Sequence, residues 1–457
     1  MKKLTFLLML HVLIFFCAAT VTAQKVNSGT YKDIDSAVSK NNFEEGINVI
    51  KKGQEGKKPL YPESNAISLF LDKGLLEHYA GNYSNSSEDL QEAERLISEA
   101  FTKSITAGIA SYIANDNTKD YAGEDFEDIY LSVFNALNYY NRGYIEDALV
   151  EIRKLSIPNG KLDILSRKYE EGQRSAGDWA LEQLDKILGI KMAPELPQGN
   201  PVNFSNSALA RYLAALFYLG EGNEDSARIE FEQLIKAFTN TKIYTNSIPN
   251  AVAETQNVPK GKARLNIIGF SGLSPVKEEN IFSSNLPLPF KYSALQQANF
   301  KLPRFVDRPS VVNQIEVIVG TEKLSLELLE DMGSVIKETY NAKFANLYFK
   351  TYIRVLLKYA TAQVAADQIA QTKAGRLGAI ASTVAAKKGL DATEGADIRM
   401  SRYMPDKAYI GGINLDPGTY TVTINYYSGR KIVASYERKD INIRANAVNL
   451  IEAYCLQ

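Results

Sequence analysis

Three stretches of this 457-residue chain share one short-range pattern, which limits the fold more than any other feature of the sequence. In Tyr130–Leu155, YLSVFNALNYYNRGYIEDALVEIRKL, two amphipathic runs flank a turn at Asn141-Arg142-Gly143. Asn65–Ala100 repeats the arrangement around Gly81-Asn82-Tyr83, and Ser207–Phe238 repeats it around Gly220-Glu221-Gly222. In each, a turn glycine is followed five positions later by a small residue (Ser86, Ala148, Ala227). Four positions further on comes a large apolar one (Leu90, Ile152, Phe231). The small residue lets two helices approach closely and the large one fills the adjoining groove. Each stretch therefore predicts a helical hairpin.

Hairpins of this kind, of tetratricopeptide type, stack on copies of themselves and present a concave groove. A regular array repeats about every 34 residues, whereas Gly81, Gly143 and Gly222 stand 62 and 79 residues apart. Extra helices must fill the gaps, with Phe101–Ala114 and Gln173–Leu188 as the candidates. Asp33–Lys51 predicts one more helix pair, turning at Asn41-Asn42.

Beyond Phe238 the pattern changes. Thr241–Gly261, rich in Thr, Asn and Pro, predicts a boundary, and Arg264–Ser271, Pro287–Tyr292 and Val311–Val319 predict strands. Gly269-Phe270-Ser271-Gly272 lacks the Lys-Ser/Thr of a phosphate loop and is read as a turn. Leu324 to about Leu390 predicts helix again. Its Ala-rich part, Tyr359–Lys388, carries too many charges to span a membrane, and suits tight helix packing or self-association. Tyr420, Val422, Ile424 and Tyr426 then alternate with polar residues, and Ile432, Ala434 and Tyr436 return after Ser428-Gly429. Period-two alternation with a glycine turn predicts an antiparallel meander with one buried face, extended by Ile441–Ile443 and Val448–Ala453. The expected class is α+β. A tetratricopeptide-like helical domain spans 24–245, and a small antiparallel β domain spans 246–457 with a helical insertion at about 321–395.

The first 23 residues read as a signal peptide: Lys2 and Lys3, an apolar run from Leu4 to Ala19, then Val21-Thr22-Ala23 before Gln24. Cys17 raises lipid attachment, but the bulky Ile14-Phe15-Phe16 before it disfavour the peptidase that would expose it. Cleavage after Ala23 would leave Cys455 and His78 as the sole cysteine and histidine. An internal disulfide is then excluded, and zinc sites and His-dependent nucleophilic catalysis nearly so. No cofactor is expected. The formal charge of −1, or −3 once Lys2 and Lys3 are lost, argues against an overall electrostatic footprint for nucleic acid or for an anionic membrane.

Six short segments follow one another along the chain: Tyr121–Glu127 (YAGEDFE), Ala148–Arg153 (ALVEIR), Gly272–Glu279 (GLSPVKEE), Leu302–Ser310 (LPRFVDRPS), Ala396–Arg399 (ADIR) and Leu415–Tyr420 (LDPGTY). In these segments and in the order of its parts the chain resembles a family of uncharacterised exported bacterial envelope proteins with a tetratricopeptide-like N-terminal half. The resemblance implies a periplasmic location or the periplasmic face of the outer membrane. It also implies an association with regulators of peptidoglycan synthesis, and it brings no catalytic residues. Members are often lipoproteins, from which the sequence around Cys17 departs.

The leading expectation is a non-enzymatic binding or scaffold protein of the envelope, holding a protein or peptide in its helical groove. Asn135, Asn138, Tyr139, Arg142 and, from the third hairpin, Arg211 are the candidate groove residues. Membrane association is expected only with lipidation. The alternatives are a cell-wall hydrolase using paired carboxylates among Glu124, Asp125, Glu127 and Asp128, and a self-assembling structural protein forming homo-oligomers through the Ala-rich helix.

Overall fold

The computed structural model describes residues 31–106, 119–156, 160–164, 204, 206–240, 243–286 and 290–457. The leader with Cys17, the candidate helix Gln173–Leu188 and most of Phe101–Ala114 lie outside the described residues.

The N-terminal half is built from antiparallel helix pairs. They are α1 (Lys32–Val38) with α2 (Phe43–Gly53), α3 (Ala66–Tyr79) with α4 (Tyr83–Thr106), α5 (Asp125–Asn141) with α6 (Ile145–Ser156), and α7 (Ala208–Gly220) with α8 (Glu224–Asn240). The short α9 (Asn250–Gln256) follows. The last three turns are chemically identical. Gly81, Gly143 and Gly222 adopt φ of 83°, 84° and 73°, where a side chain would be strained. The next residue donates its N–H back across the helix end: Asn82 to Glu77 O at 2.8 Å, Tyr144 to Tyr139 O and Asn223 to Tyr218 O at 2.9 Å each. This closure satisfies the last helical carbonyls. Asn41, at φ 54°, does the same for the α1–α2 turn. Ser86, Ala148 and Ala227 are buried where the helices meet, as are Leu90, Ile152 and Phe231 beside them.

The C-terminal half contains β1 (Ala263–Leu273), β2 (Val276–Asn285), β3 (Gln297–Val306), β4 (Gln314–Val319), β5 (Glu322–Ser325), β6 (Glu327–Asp331), β7 (Pro405–Leu415), β8 (Gly418–Ser428), β9 (Lys431–Ile443) and β10 (Asn449–Cys455). One sheet has the order β10-β1-β7-β6, the second β5-β4-β8-β9, and β2 pairs with β3 alone. All pairings are antiparallel except β1 with β10, where Leu265 faces Asn449 in parallel register.

Strand β1 is buried at every position, and its alternation divides two cores. Leu265 and Ile267 face the second sheet, among Ile315, Val317, Val422, Ile424 and Tyr426. Ile268 and Phe270 face the other way, into a core shared with Leu75, Leu76, Phe134, Phe217 and other helical residues. Strand β10 splits likewise, with Ala453 and Cys455 on one side and Leu450 and Tyr454 on the other. The protein thus has three layers, helices on sheet on sheet, and the helical core continues into the β half.

Several sequence expectations need correction. Gly269–Gly272 is not a turn but the end of β1. Gly269 is there because an added Cβ would come within 2.8 Å of Ile315 and Leu326, on the sheet packed against it. Residues 324–325 and 327–331 are strand rather than helix, since β5 pairs with β4 and β6 with β7. Helix begins at Met332, capped by Asp331, whose Oδ1 accepts from Ser334 N at 2.8 Å. The insertion is therefore α10 (Met332–Ala370) and α11 (Gly375–Thr393), an excursion between neighbouring strands that packs on the β2–β3 hairpin through Phe300, Val355, Leu356 and Tyr359. Of the predicted strand Pro287–Tyr292, residues 287–289 lie outside the described residues and 290–292 are not strand.

Gly411 on β7 gives the same clearance as Gly269: a Cβ there would meet Leu324 at 2.5 Å and Leu326 at 2.6 Å. Gly411→Val should overpack the sandwich and cost about 2 kcal/mol or more, read as a lower urea midpoint. Gly429→Ala, at a turn with open space around it, should cost less than Gly411→Val.

Candidate functional site

The face that stacked hairpins would offer to a ligand is occupied by the protein's own sheet. Tyr79 of α3 donates its hydroxyl to Tyr403 O at 2.9 Å, and Tyr130 of α5 bonds Glu330 of β6. Tyr140 accepts from Leu450 N at 2.8 Å, and Asn141 donates to Glu452 Oε1 at 2.6 Å. Aromatic rings close the layer, with Phe270 and Tyr454 stacked at 5.0 Å and Phe134 5.6 Å from Phe270.

This arrangement corrects the expected groove. Asn138 is buried, its Nδ2 donating to Ser86 Oγ at 2.8 Å and its Oδ1 2.6 Å from His78 Nδ1. Asn135 is buried one turn earlier, with neither amide atom hydrogen-bonded. Arg211 is buried against Asn206 and Glu230, at 2.7 and 2.8 Å. These three are interior residues, because the helix faces bearing them pack on neighbouring elements. Tyr139 and Arg142 do reach the surface, where the guanidinium lies over the rings of Tyr139 and Tyr144, 5.6 and 5.0 Å from their centroids. The five residues form no common site. The acidic run is also engaged internally: Glu124 pairs with Lys277 and Lys343, Asp125 with Lys343, and Asp128 with Lys161.

A cleft of about 570 Å³ opens at the seam where the α5–α6 turn meets β9 and β10. Tyr83, Tyr140 and Asn141 line it from the helices, and Arg438, Asn442, Arg444, Asn449 and Glu452 from the strands. Arg438 and Arg444 are exposed, and their side chains make no hydrogen bond or ion pair among the described residues. Asp440 is the opposing charge on the rim, held at φ 58° where β9 bends.

The floor of this cleft is a buried polar network centred on His78. Tyr454 donates to Glu452 Oε2 at 2.6 Å, and its hydroxyl also lies 2.6 Å from His78 Nε2. Asn138 Nδ2 donates to Ser86, which donates to Gly74 O, and the Asn138 carbonyl faces His78 Nδ1. His78 Nε2 also lies 3.4 Å from Glu452 Oε1. Burial would raise the Glu452 pKa. His78, Tyr454 and Asn141 overcome that and hold the carboxyl below its usual range. The network ties α3, α5 and β10 together and faces the cleft through Glu452.

A second cluster brings together four of the segments that carry the family resemblance. Tyr121, Glu124 and Glu127 meet Lys277 of β2 and the 397–403 connection into β7, and Arg308 donates to Ser274 O at 2.8 Å. Two buried carboxylates clasp the connection. Asp72 accepts from Ser401 Oγ and Arg402 N at 2.8 and 2.7 Å, and Glu127 accepts from Ser401 N at the same point. Burial, and the Glu124 charge after it, push Glu127 up to about 7, and burial pushes Asp72 up to about 6. Among the described residues, no group of three or more His, Cys, Asp or Glu side chains is placed to hold a metal ion.

Arg438, Arg444 and Glu452 were not singled out from sequence, where no motif marks them. His78 was noted only as the sole remaining histidine. Comparison with known proteins finds no match to this chain, whether among protein families, curated sequences or solved structures.

Because the native state holds the Glu127 proton after the unfolded chain has lost it, stability should fall as pH rises from about 4.5 to about 7. The limiting slope is about 1.4 kcal/mol per pH unit. Glu127→Gln should flatten the slope over that window in urea titrations at several pH values, whatever its absolute stability. An unchanged slope would remove Glu127 from the account.

Proposed function

We propose that this chain is a non-enzymatic binding or scaffold protein of the cell envelope, built on tetratricopeptide-like hairpins. Its ligand face is the seam cleft, not the concave groove. The observation that carries the reading is the pair of unpartnered guanidinium groups, Arg438 and Arg444, on the rim of a cleft with aromatic and amide walls. Such a lining suits a peptide segment bearing carboxylates: arginine forks the carboxylate, Asn442 and Asn449 meet amides, and Tyr83 and Tyr140 cover apolar stems.

The repeat reading is supported by the shared turn closure of α3–α4, α5–α6 and α7–α8. The export reading rests on the leader-like first 23 residues. Among the described residues no helix is long and apolar enough to cross a membrane. Hydrolysis by the acidic run is disfavoured because Glu124, Asp125 and Asp128 are each ion-paired with a lysine.

Titration with a dye-labelled decaglutamate peptide at low salt, with decalysine as the control, tests the cleft by fluorescence anisotropy. Decaglutamate should bind, and the double variant Arg438→Glu, Arg444→Glu should weaken it by about tenfold or more. Equal binding by the double variant, or no binding by the wild type, overturns the assignment.

A further inference from the structure

Among the described residues the most exposed large apolar side chain is Leu377, 82% exposed in the first turn of α11. It is not isolated. Ile380 and Val384 are 43% and 44% exposed, and Ala381, Ala385 and Lys388 are exposed with them. At 100° per residue these side chains form one stripe along three turns. The opposite side of α11 is already used: Ala379 and Thr383 are buried, and Leu390 packs on the core between α10 and the β2–β3 hairpin. The stripe is thus the outward face of an anchored helix.

Its charges are one-sided. Between Asp367 and Asp391 the chain carries Lys373, Arg376, Lys387 and Lys388 and no acidic residue. Lys387 is engaged by Asp391 and Gln297, while Lys373, Arg376 and Lys388 make no ion pair among the described residues. The acids packed nearby are committed as well, Asp367 to Lys291 at 2.8 Å and Asp391 to Tyr359 at 2.8 Å. An apolar stripe with unpaired cations at both ends calls for a surface that is apolar beneath and anionic above. A second copy fits poorly. Antiparallel pairing of two α11 helices would set Arg376 against Lys388, and parallel pairing would set each cation against itself. A protein groove that engulfs a helix needs the helix free on its other side, and α11 is not.

We propose that α11 docks on an anionic lipid surface, lying in the interface with Leu377, Ile380 and Val384 among the acyl chains. Lys373, Arg376 and Lys388 then meet the headgroups. A lysine stem reaches from the apolar depth to the headgroup level, so Lys388 at the end of the stripe belongs to the docked face. The surface lies apart from the seam cleft and needs no lipid attached to the chain.

Trp179 is the only tryptophan, so a local probe is available in the full-length chain. In a Trp179→Phe background, Leu377→Trp should shift to shorter wavelength with phosphatidylcholine–phosphatidylglycerol vesicles and be quenched by brominated acyl chains. Phosphatidylcholine vesicles alone should give neither effect. Adding Arg376→Glu and Lys388→Glu should lower partitioning by about tenfold or more, and high salt should do the same. No shift and no quenching overturns the proposal. So does equal quenching by neutral vesicles. A concentration-dependent dimer in light scattering, abolished by Leu377→Glu and accompanied by no lipid quenching, overturns it in favour of a second copy.

Discussion

The structure depends on a sheet with no wet face. Strand β1 alternates Leu265 and Ile267 towards one core with Ile268 and Phe270 towards another, and both are closed. Burying one such side chain is worth roughly 1.5–3 kcal/mol, and β1, β7 and β10 contribute to both cores at once. Neither half of the chain has a complete interior by itself. The helical hairpins would expose Leu75, Phe134 and Phe217, and the sheet would expose Phe270 and Tyr454. The two halves therefore form one cooperative body, and a boundary near residue 245 marks a change of architecture rather than an independent unit.

That dependence explains which parts were legible in advance. A hairpin turn is closed by groups within six residues of one another, so Gly81, Gly143 and Gly222 with their small and large partners could be found from spacing alone. The meander after Asp416 was legible because one face of β8 is wet and its alternation survives. Strand β1 loses alternation through burial on both faces, so its last residues, Gly269–Gly272, looked like a turn. Its parallel partner β10 lies about 180 residues away, a distance at which no local pattern specifies pairing. Strands β2 and β3 escaped notice for a different reason: Lys277, Glu278 and Glu279 make β2 look like loop, yet its pairing with β3 continues through them.

The same constraint decides which surfaces stay open. A stacked-hairpin array suggests a concave groove, and Asn135, Asn138 and Arg211 stand where that groove's lining would be. In this protein β10, β1, β7 and β6 pack on that side of the helices, and the fit leaves two places open. One is the seam, where the α5–α6 turn and the end of β9 fail to close over Glu452. The other is the helical excursion between β6 and β7, which is anchored on one side only. Neither place could be inferred from the repeat pattern, because each is created by how the two halves meet.

The seam also shows why so much polarity is buried there. An interface made only of leucine and phenylalanine would tolerate a shift of the helices along the sheet with little loss of contact. His78, Glu452, Asn141 and Tyr454 allow one register, since displacing any of them strands a buried charge or donor at about 1–3 kcal/mol or more. Asp72 and Glu127 impose the same condition further along, where both grip Ser401. The carboxylates add little net stability, because their desolvation offsets much of what their hydrogen bonds return. What they contribute is position. They fix where β10 and the 397–403 connection lie against α3 and α5.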